Sequence, residues 1–254
     1  MLIPLTYGSE RPEILAEFAE LFTSRNPRWK WPFVHTLYAN EYAWTVDRLF
    51  ERLGADLTGK LVMDAGGGAS ALQHYIARRG ADVLNVSHGP GQLPGKTAAG
   101  VVIPRVRCHA ADLVETGQEP GTFDAIVSVS AIEHNPWPKI ERIVAHLLDL
   151  LKPGAPLIVT VPAGREGKWY QRGTFPGRPE FPNVYLWDIV ALDRLTAAVW
   201  PMAHLVSQRG GPGRERFAED YRAAWDAMMA GRDSTPGAQR MPYLSAGFVF
   251  EQRA

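Results

Sequence analysis

Residues 61–70, Leu-Val-Met-Asp-Ala-Gly-Gly-Gly-Ala-Ser, constrain the fold more than any other stretch of the chain. Three apolar residues read as a short buried strand. An acid follows, then three consecutive glycines, then small residues that open a helix carrying Ala71, Leu72, Tyr75 and Ile76. Glycine has no Cβ, so a strand that runs through glycine into a helix brings bare backbone N–H groups and a helix N-terminus up to a ligand. Three glycines in a row cost backbone entropy without adding packing, which weighs against a plain turn. The stretch predicts a nucleotide-type ligand site on a parallel α/β sheet.

The segments downstream agree. Strands are predicted at 61–64, 82–87, 104–108, 123–129 and 156–161, and helices at 70–79 and 137–151. The strands are short continuous apolar runs, the pattern of a parallel sheet buried on both faces. Strands alternating with helices imply a doubly wound fold. Residues 88–100 hold four glycines and two prolines and read as loop where a crossover helix is expected. After Pro162 a loop rich in Gly, Pro, Arg and aromatic residues runs to about Asn183. A helix at 185–199, a strand at 202–208, an amphipathic helix over 214–230 and a last strand at 243–251 follow. Upstream, helices are predicted at 11–22, where Pro12 suits the first turn, and at 34–53, where Gly54 supplies the stop. These divide the chain into an N-terminal helical cap, residues 1–55, and a sheet domain, residues 56–254.

The 254 residues suit one large α/β domain or two small ones. With 27 basic and 27 acidic residues the net charge is zero, which argues against a general nucleic-acid binder. A single cysteine, Cys108, excludes an internal disulfide framework and a cysteine-based metal cluster. No metal-ligand spacing such as His-x-x-x-His occurs, so no catalytic metal is expected. Residues 1–10 lack the order of a signal peptide, and no apolar run approaches the ~20 residues that span a bilayer. The expectation is a soluble, cytoplasmic protein without a membrane partner. Its oligomeric state is left open.

Two cofactor classes use such a glycine loop. Gly66-x-Gly68-x-x-Ala71 satisfies the dinucleotide fingerprint, with alanine in the third slot. Asp64, ahead of the glycines, favours the other class, and so do three later segments. Ala111-Asp112-Leu113 comes after the third strand. Ser128-Val129-Ser130-Ala131-Ile132-Glu133-His134 ends the fourth. Leu150-Leu151-Lys152-Pro153-Gly154 then precedes Leu157-Ile158-Val159-Thr160-Val161-Pro162. In this order and spacing, residues 58–165 resemble the class I, Rossmann-like S-adenosylmethionine-dependent methyltransferases, and most the branch that modifies small molecules or glycans.

The resemblance implies a doubly wound, mostly parallel seven-stranded sheet with an antiparallel last strand, and S-adenosylmethionine as cofactor. It implies that Asp64 and the backbone of Ala65, Gly66, Gly67 and Gly68 hold the amino-acid end of that cofactor. Ser87 stands at the ribose. Asp112 accepts from the adenine amino group, with the Leu113 N–H beside it. Ser128, Val129 and Ser130 line the methionine side, and Glu133 and His134 lie at the cleft mouth. Two positions depart from the pattern. Ser70 replaces the third glycine, and Ser87 replaces the ribose-binding acid. A hydroxyl bonds a ribose without the charge that makes such bonds about twice as strong.

Methyl transfer from a sulfonium is an in-line displacement in which alignment carries most of the rate. A base is needed only when the acceptor must lose a proton. His134 is the candidate, as base or as acceptor-positioning group, because imidazole titrates near neutral pH. A cleft-wall histidine would do neither. Glu133 orients His134 or holds structure. The expected acceptor atom is oxygen ahead of nitrogen, on a small molecule or glycan. The alternatives are a catalytically degenerate cofactor-binding homologue acting through an interface, and a nicotinamide-dependent oxidoreductase. Trp29, Trp31, Phe33 and residues 164–170 flank the sheet edge where an acceptor would enter.

Overall fold

Each apolar run between Lys60 and Pro162 that reads as a strand is one. The structure is a computed structural model. It describes residues 3, 10–21, 37–68, 70–88, 105–164, 167–172, 174, 183–188, 191, 194–195, 198, 202–205, 226 and 244–253. The elements are α1 (Pro12–Leu21), α2 (Leu37–Leu53), β1 (Leu61–Ala65), α3 (Ala71–Arg78), β2 (Asp82–Ser87), β3 (Val106–Ala110) and β4 (Ala125–Val129). A 3₁₀ turn (Ile132–His134), α4 (Trp137–Asp149), β5 (Pro156–Ala163), β6 (Lys168–Tyr170), β7 (Val184–Leu186), β8 (Ala203–Leu205) and β9 (Leu244–Gln252) complete them.

The main sheet runs in the order β3-β2-β1-β4-β5-β9-β8. Its first five strands are parallel, and β9 is antiparallel to both β5 and β8. β8 is a three-residue edge strand. Side chains alternate between the two faces, as a strand's period of two requires. Val62, Val83, Ala125, Val127 and Ile158 point into a core shared with α1, α2 and α3. Met63, Leu84, Ile126, Leu157 and Val159 point into a second core with α4, whose Ile140, Ile143, Val144 and Leu147 form the facing stripe. Both faces are covered, which is why these strands read as continuous apolar runs.

Helices α1 and α2 share the first core with α3. Phe18 stacks on Tyr75 with ring centroids 4.7 Å apart, and Glu17 accepts from both terminal nitrogens of Arg79 at 2.8 and 2.6 Å. One contact seats α2. A Cβ on Gly247 of β9 would lie 2.5 Å from the Trp44 ring, so the indole rests flat on a strand only glycine can offer there.

The region after Pro162 differs from the sequence reading. Tyr185 and Leu186, placed at the start of a helix at 185–199, belong to a strand, Val184–Leu186. It pairs antiparallel with Lys168–Tyr170, inside the expected loop. Val-Tyr-Leu-Trp is a β-branched and aromatic run, and a strand suits it better than a helix. The Trp187 N–H donates to the Pro162 carbonyl at 2.9 Å and the Gly164 N–H to that of Trp187 at 2.7 Å, tying β7 to the end of β5. Residues 89–104, the aromatic cluster Trp29, Trp31 and Phe33, and nearly all of the expected helix 214–230 lie outside the described residues. Among the described residues no helix is long and apolar enough to cross a membrane.

Candidate active site

The C-terminal ends of β1 and β4 lie side by side, and from them the chain proceeds in opposite directions across the sheet. That makes a switch point, where ligands of open α/β sheets bind. The glycine loop occupies it. Gly66 has φ +79°, and a Cβ there would come 2.4 Å from Ala131 Cβ, so the loops after β1 and β4 touch through a missing side chain. A Cβ on Gly67 would lie 2.1 Å from Asp64 Oδ2. Gly66 and Gly67 keep part of their surface exposed at this edge. A bare, partly exposed backbone turn is the cradle a cofactor's polar end needs.

The Asp64 carboxyl is buried beneath that turn. Burial pushes its pKa up to about 7, and a hydrogen bond from the Ser70 hydroxyl, 3.2 Å from Oδ2, works against the shift. Ser70 also caps α3, accepting from the Leu72 N–H at 3.0 Å. Serine thus does at this family-glycine position what glycine cannot. Two amides hold the Gly68 carbonyl: Asn85 Nδ2 at 2.6 Å and Gln73 Nε2 at 3.1 Å. The Gly66 N–H donates to the Val86 carbonyl at 2.7 Å, which fixes the loop to β2 just before Ser87.

Ser87, at the end of β2, is buried and lies opposite Ala110 of β3. Beyond β3, Asp112 is gripped. Lys139 Nζ of α4 lies 2.7 Å from Oδ2, the Val114 N–H donates to Oδ1 at 3.2 Å, and His88 Nε2 is 3.4 Å away. The Lys139 hydrogen bond leads in holding this carboxyl below its ordinary pKa. Leu113 is buried, and its Cδ1 lies 3.8 Å from the position a Cβ on Gly66 would take.

At the end of β4 the expected residues separate by role. Ser128 is buried and donates to the Ala65 carbonyl at 2.9 Å, so its hydroxyl binds β4 to β1. Val129 packs partly against the α1–α3 core. Ser130 has φ +47°, the one non-glycine residue in the left-handed region among those described. Such outliers cost of order 1–3 kcal/mol and gather at functional sites. Its hydroxyl donates to Glu41 Oε1 of α2 at 2.8 Å.

Glu133 and His134 follow on the 3₁₀ turn. The orienting partner of His134 is not Glu133. Nδ1 lies 2.8 Å from the Asn183 carbonyl beside β7, whereas Nε2 is 3.8 Å from Glu133 Oε1. A carbonyl only accepts, so Nδ1 carries the proton and Nε2 the lone pair. Burial lowers the pKa of the ring, and the bond to Asn183 partly restores it. The His134 side chain stays 35% exposed, while that of Glu133 is only 2% exposed. Burial pushes Glu133 up to about 8, and its Oε2 makes no hydrogen bond.

Sequence reasoning missed Glu41 and Asn183. Neither sits in a motif, and both reach the site through tertiary contacts. Among histidines without motif context, His146 bonds the Thr116 hydroxyl at 3.0 Å and His74 is buried on α3. Among the described residues no group of three His, Cys, Asp or Glu side chains could hold a metal ion.

This strand order, with a glycine turn at the switch point and an antiparallel β9, is a doubly wound, Rossmann-like fold of the kind that class I S-adenosylmethionine-dependent methyltransferases have. Residues 62–154 match the family model described as a methyltransferase domain. Over 119 residues the chain is 30% identical to the ubiquinone biosynthesis O-methyltransferase of Pseudomonas paraeruginosa (strain DSM 24068 / PA7), covering 45% of this chain and 49% of that protein. The chain thus spans about half the length of the curated relatives it matches. Among solved structures it resembles Burkholderia thailandensis 1,6-didemethyltoxoflavin-N1-methyltransferase with bound 1,6-didemethyltoxoflavin and S-adenosylhomocysteine. That match has a TM-score of 0.59 and 13% identity, and covers 98% of this chain and 91% of that one. It also resembles a 4+2 cyclase, with a TM-score of 0.57 and 17% identity over the whole of both chains.

Proposed function

We propose that the protein is an enzyme that uses S-adenosylmethionine to methylate an oxygen, ahead of a nitrogen, of a small molecule or glycan. The observation that carries this reading is the meeting of a bare glycine turn and a lone-pair-bearing imidazole at one edge of the sheet. The site residues fit the cofactor. The Gly66–Gly68 backbone and Asp64 take its amino-acid end, Ser87 its ribose, Asp112 and the Leu113 N–H its adenine, and Val129 and Ser130 its methionine side. When bound, S-adenosylmethionine supplies an electrophilic methyl group. His134 Nε2 takes the proton of an acceptor hydroxyl as its oxygen becomes the nucleophile, while the Asn183 carbonyl holds the ring in that tautomer. Residues 1–55 act as a cap over this edge, with residues 56–254 as the catalytic domain. Glu41 of α2, bonded to Ser130, supports that division. A cytoplasmic location goes with this reading.

The test is titration calorimetry with S-adenosylmethionine, S-adenosylhomocysteine and NAD(P), followed by mass spectrometry of metabolite mixtures for a gain of one CH₂. Binding of NAD(P) in place of the sulfonium would move the assignment to an oxidoreductase. Ser87 favours one second reading, a cofactor-binding homologue that acts through an interface. Tight S-adenosylmethionine binding with no methylated product would select it.

A further inference from the structure

We propose that Glu41 and Glu133 form an acceptor subsite for a cationic amino group. The group is carried by the small molecule whose oxygen is methylated. This rests on the methyltransferase reading and names the substrate class for the same cleft.

Glu41 comes from α2 and Glu133 from the turn after β4, and each is 2% exposed. The Ser130 hydroxyl, 2.8 Å from Glu41 Oε1, bridges α2 to the cleft edge. Thr160 of β5 and Ser245 of β9 stand beside Glu41. Both hydroxyls are buried, and neither closes a hydrogen bond of normal geometry. Glu133 Oε2 is likewise without a partner. Two strands and the turn after β4 thus each carry a buried polar atom without a partner in the surroundings of Glu41.

A fold gains nothing from such a cluster, since an unsatisfied buried polar group is costly. Burial drives both carboxyls up, Glu41 to about 7 and Glu133 to about 8, and the charge of Glu133 adds to the shift at Glu41. Among the described residues no lysine or arginine contributes to either shift. Among the described residues the other titratable group shown against the pair is His134, with Nε2 3.8 Å from Glu133 Oε1. Among the described residues, what the cluster lacks is a positive charge with several N–H donors. An ammonium offers three donors and relieves the repulsion between two carboxylates, whereas a neutral hydroxyl offers one and relieves none. An ammonium has no lone pair, so this amine is a handle and the methylated oxygen lies elsewhere on the molecule. Ser130 and His134, which touch the pair at Glu41 and Glu133, are both partly exposed.

The matched probes are benzylamine and benzyl alcohol, titrated into the full chain with and without S-adenosylhomocysteine. The amine is expected to bind at least tenfold more tightly. Its affinity is expected to rise with pH through the neutral range, because the ammonium expels protons from the pair. That proton release is read from binding heats in two buffers of different ionisation enthalpy, on the unaltered chain, so it tests the subsite even if a variant does not fold. Glu41→Gln and Glu133→Gln are expected to erase the amine preference and leave S-adenosylhomocysteine affinity intact. Equal affinity for the two probes, a preference that survives both substitutions, or binding without proton release would overturn the subsite. Failure of S-adenosylhomocysteine itself to bind would instead overturn the methyltransferase reading.

Discussion

The two halves of the cleft are built on different principles. On the β1–β2 side each of four polar side chains makes at least one bond to the fold, although Asn85 Oδ1 and Gln73 Oε1 are buried without a partner. Asp64 takes Ser70, Asn85 and Gln73 hold the Gly68 carbonyl, and Asp112 takes Lys139. On the β4–β5–β9 side Glu133 Oε2, Thr160 Oγ1 and Ser245 Oγ are buried without partners. The first half presents backbone to a ligand, and Asp64, Asn85, Gln73 and Asp112 are each anchored by at least one bond. The second carries polar capacity that the fold does not use. A scaffold of the first kind suits an invariant cofactor, and a surface of the second kind suits a particular acceptor.

The comparison breaks most visibly at His134, where the halves meet. His134→Ala is expected to lower turnover by roughly 10²–10⁴ and to leave S-adenosylmethionine affinity nearly unchanged. In the parent the base must be neutral and burial lowers its pKa, so activity is expected to persist below the ordinary histidine value of about 6.5 before it falls. A pH–rate profile and calorimetry on the variant check both. A loss near tenfold with a raised KM would assign positioning in place of proton transfer.

On the scaffold side, Gly66→Val meets Ala131 and a positive φ at once. It is expected to weaken S-adenosylmethionine binding on the order of 100-fold, since such backbone strain costs roughly 1–3 kcal/mol. Unchanged calorimetric affinity would remove this loop from the cofactor site.

On the acceptor side, Glu133 prefers its proton in the folded state, with a pKa of about 8 against an ordinary 4.5. The folded chain therefore binds more protons than the unfolded chain over that window, and stability falls as pH rises through it. Glu133→Gln removes the penalty. It is expected to stabilise the protein by about 1–3 kcal/mol at pH 8 and hardly at all near pH 4.5, read by thermal unfolding at both. Destabilisation at pH 8 would mean that the carboxyl is satisfied and the halves do not differ.

The smallest effect is expected at Ser87. Ser87→Asp should leave S-adenosylmethionine affinity equal or up to about tenfold tighter, because a charged acceptor at the ribose strengthens its hydrogen bonds. A large loss would show a site rebuilt around serine.

Legibility in the sequence divides along the same line. Asp64, the glycines and Ser70 lie within a few residues of each other, and the strand, turn and helix that place them are local. Their pattern is readable because apolar runs, a cap and glycine act over short range. The edges of elements were less legible. Residues 185 and 186 read as helix because their partners, in 168–170, lie across an intervening loop, and pairing decides a short strand more than propensity does.

The sequence by itself determined the doubly wound sheet, the glycine turn at its switch point, and the place of Glu133 and His134 just beyond β4. Only the tertiary structure decided what surrounds those two residues. Glu41 reaches Ser130 across 89 positions, because Gly247 lets Trp44 seat α2 on β9. Asn183 reaches His134 across 49, because β7 is stitched to the end of β5. Local patterns report backbone periodicity and turn chemistry. Which distant side chains meet, and which buried groups are left unsatisfied, depends on how the finished layers pack.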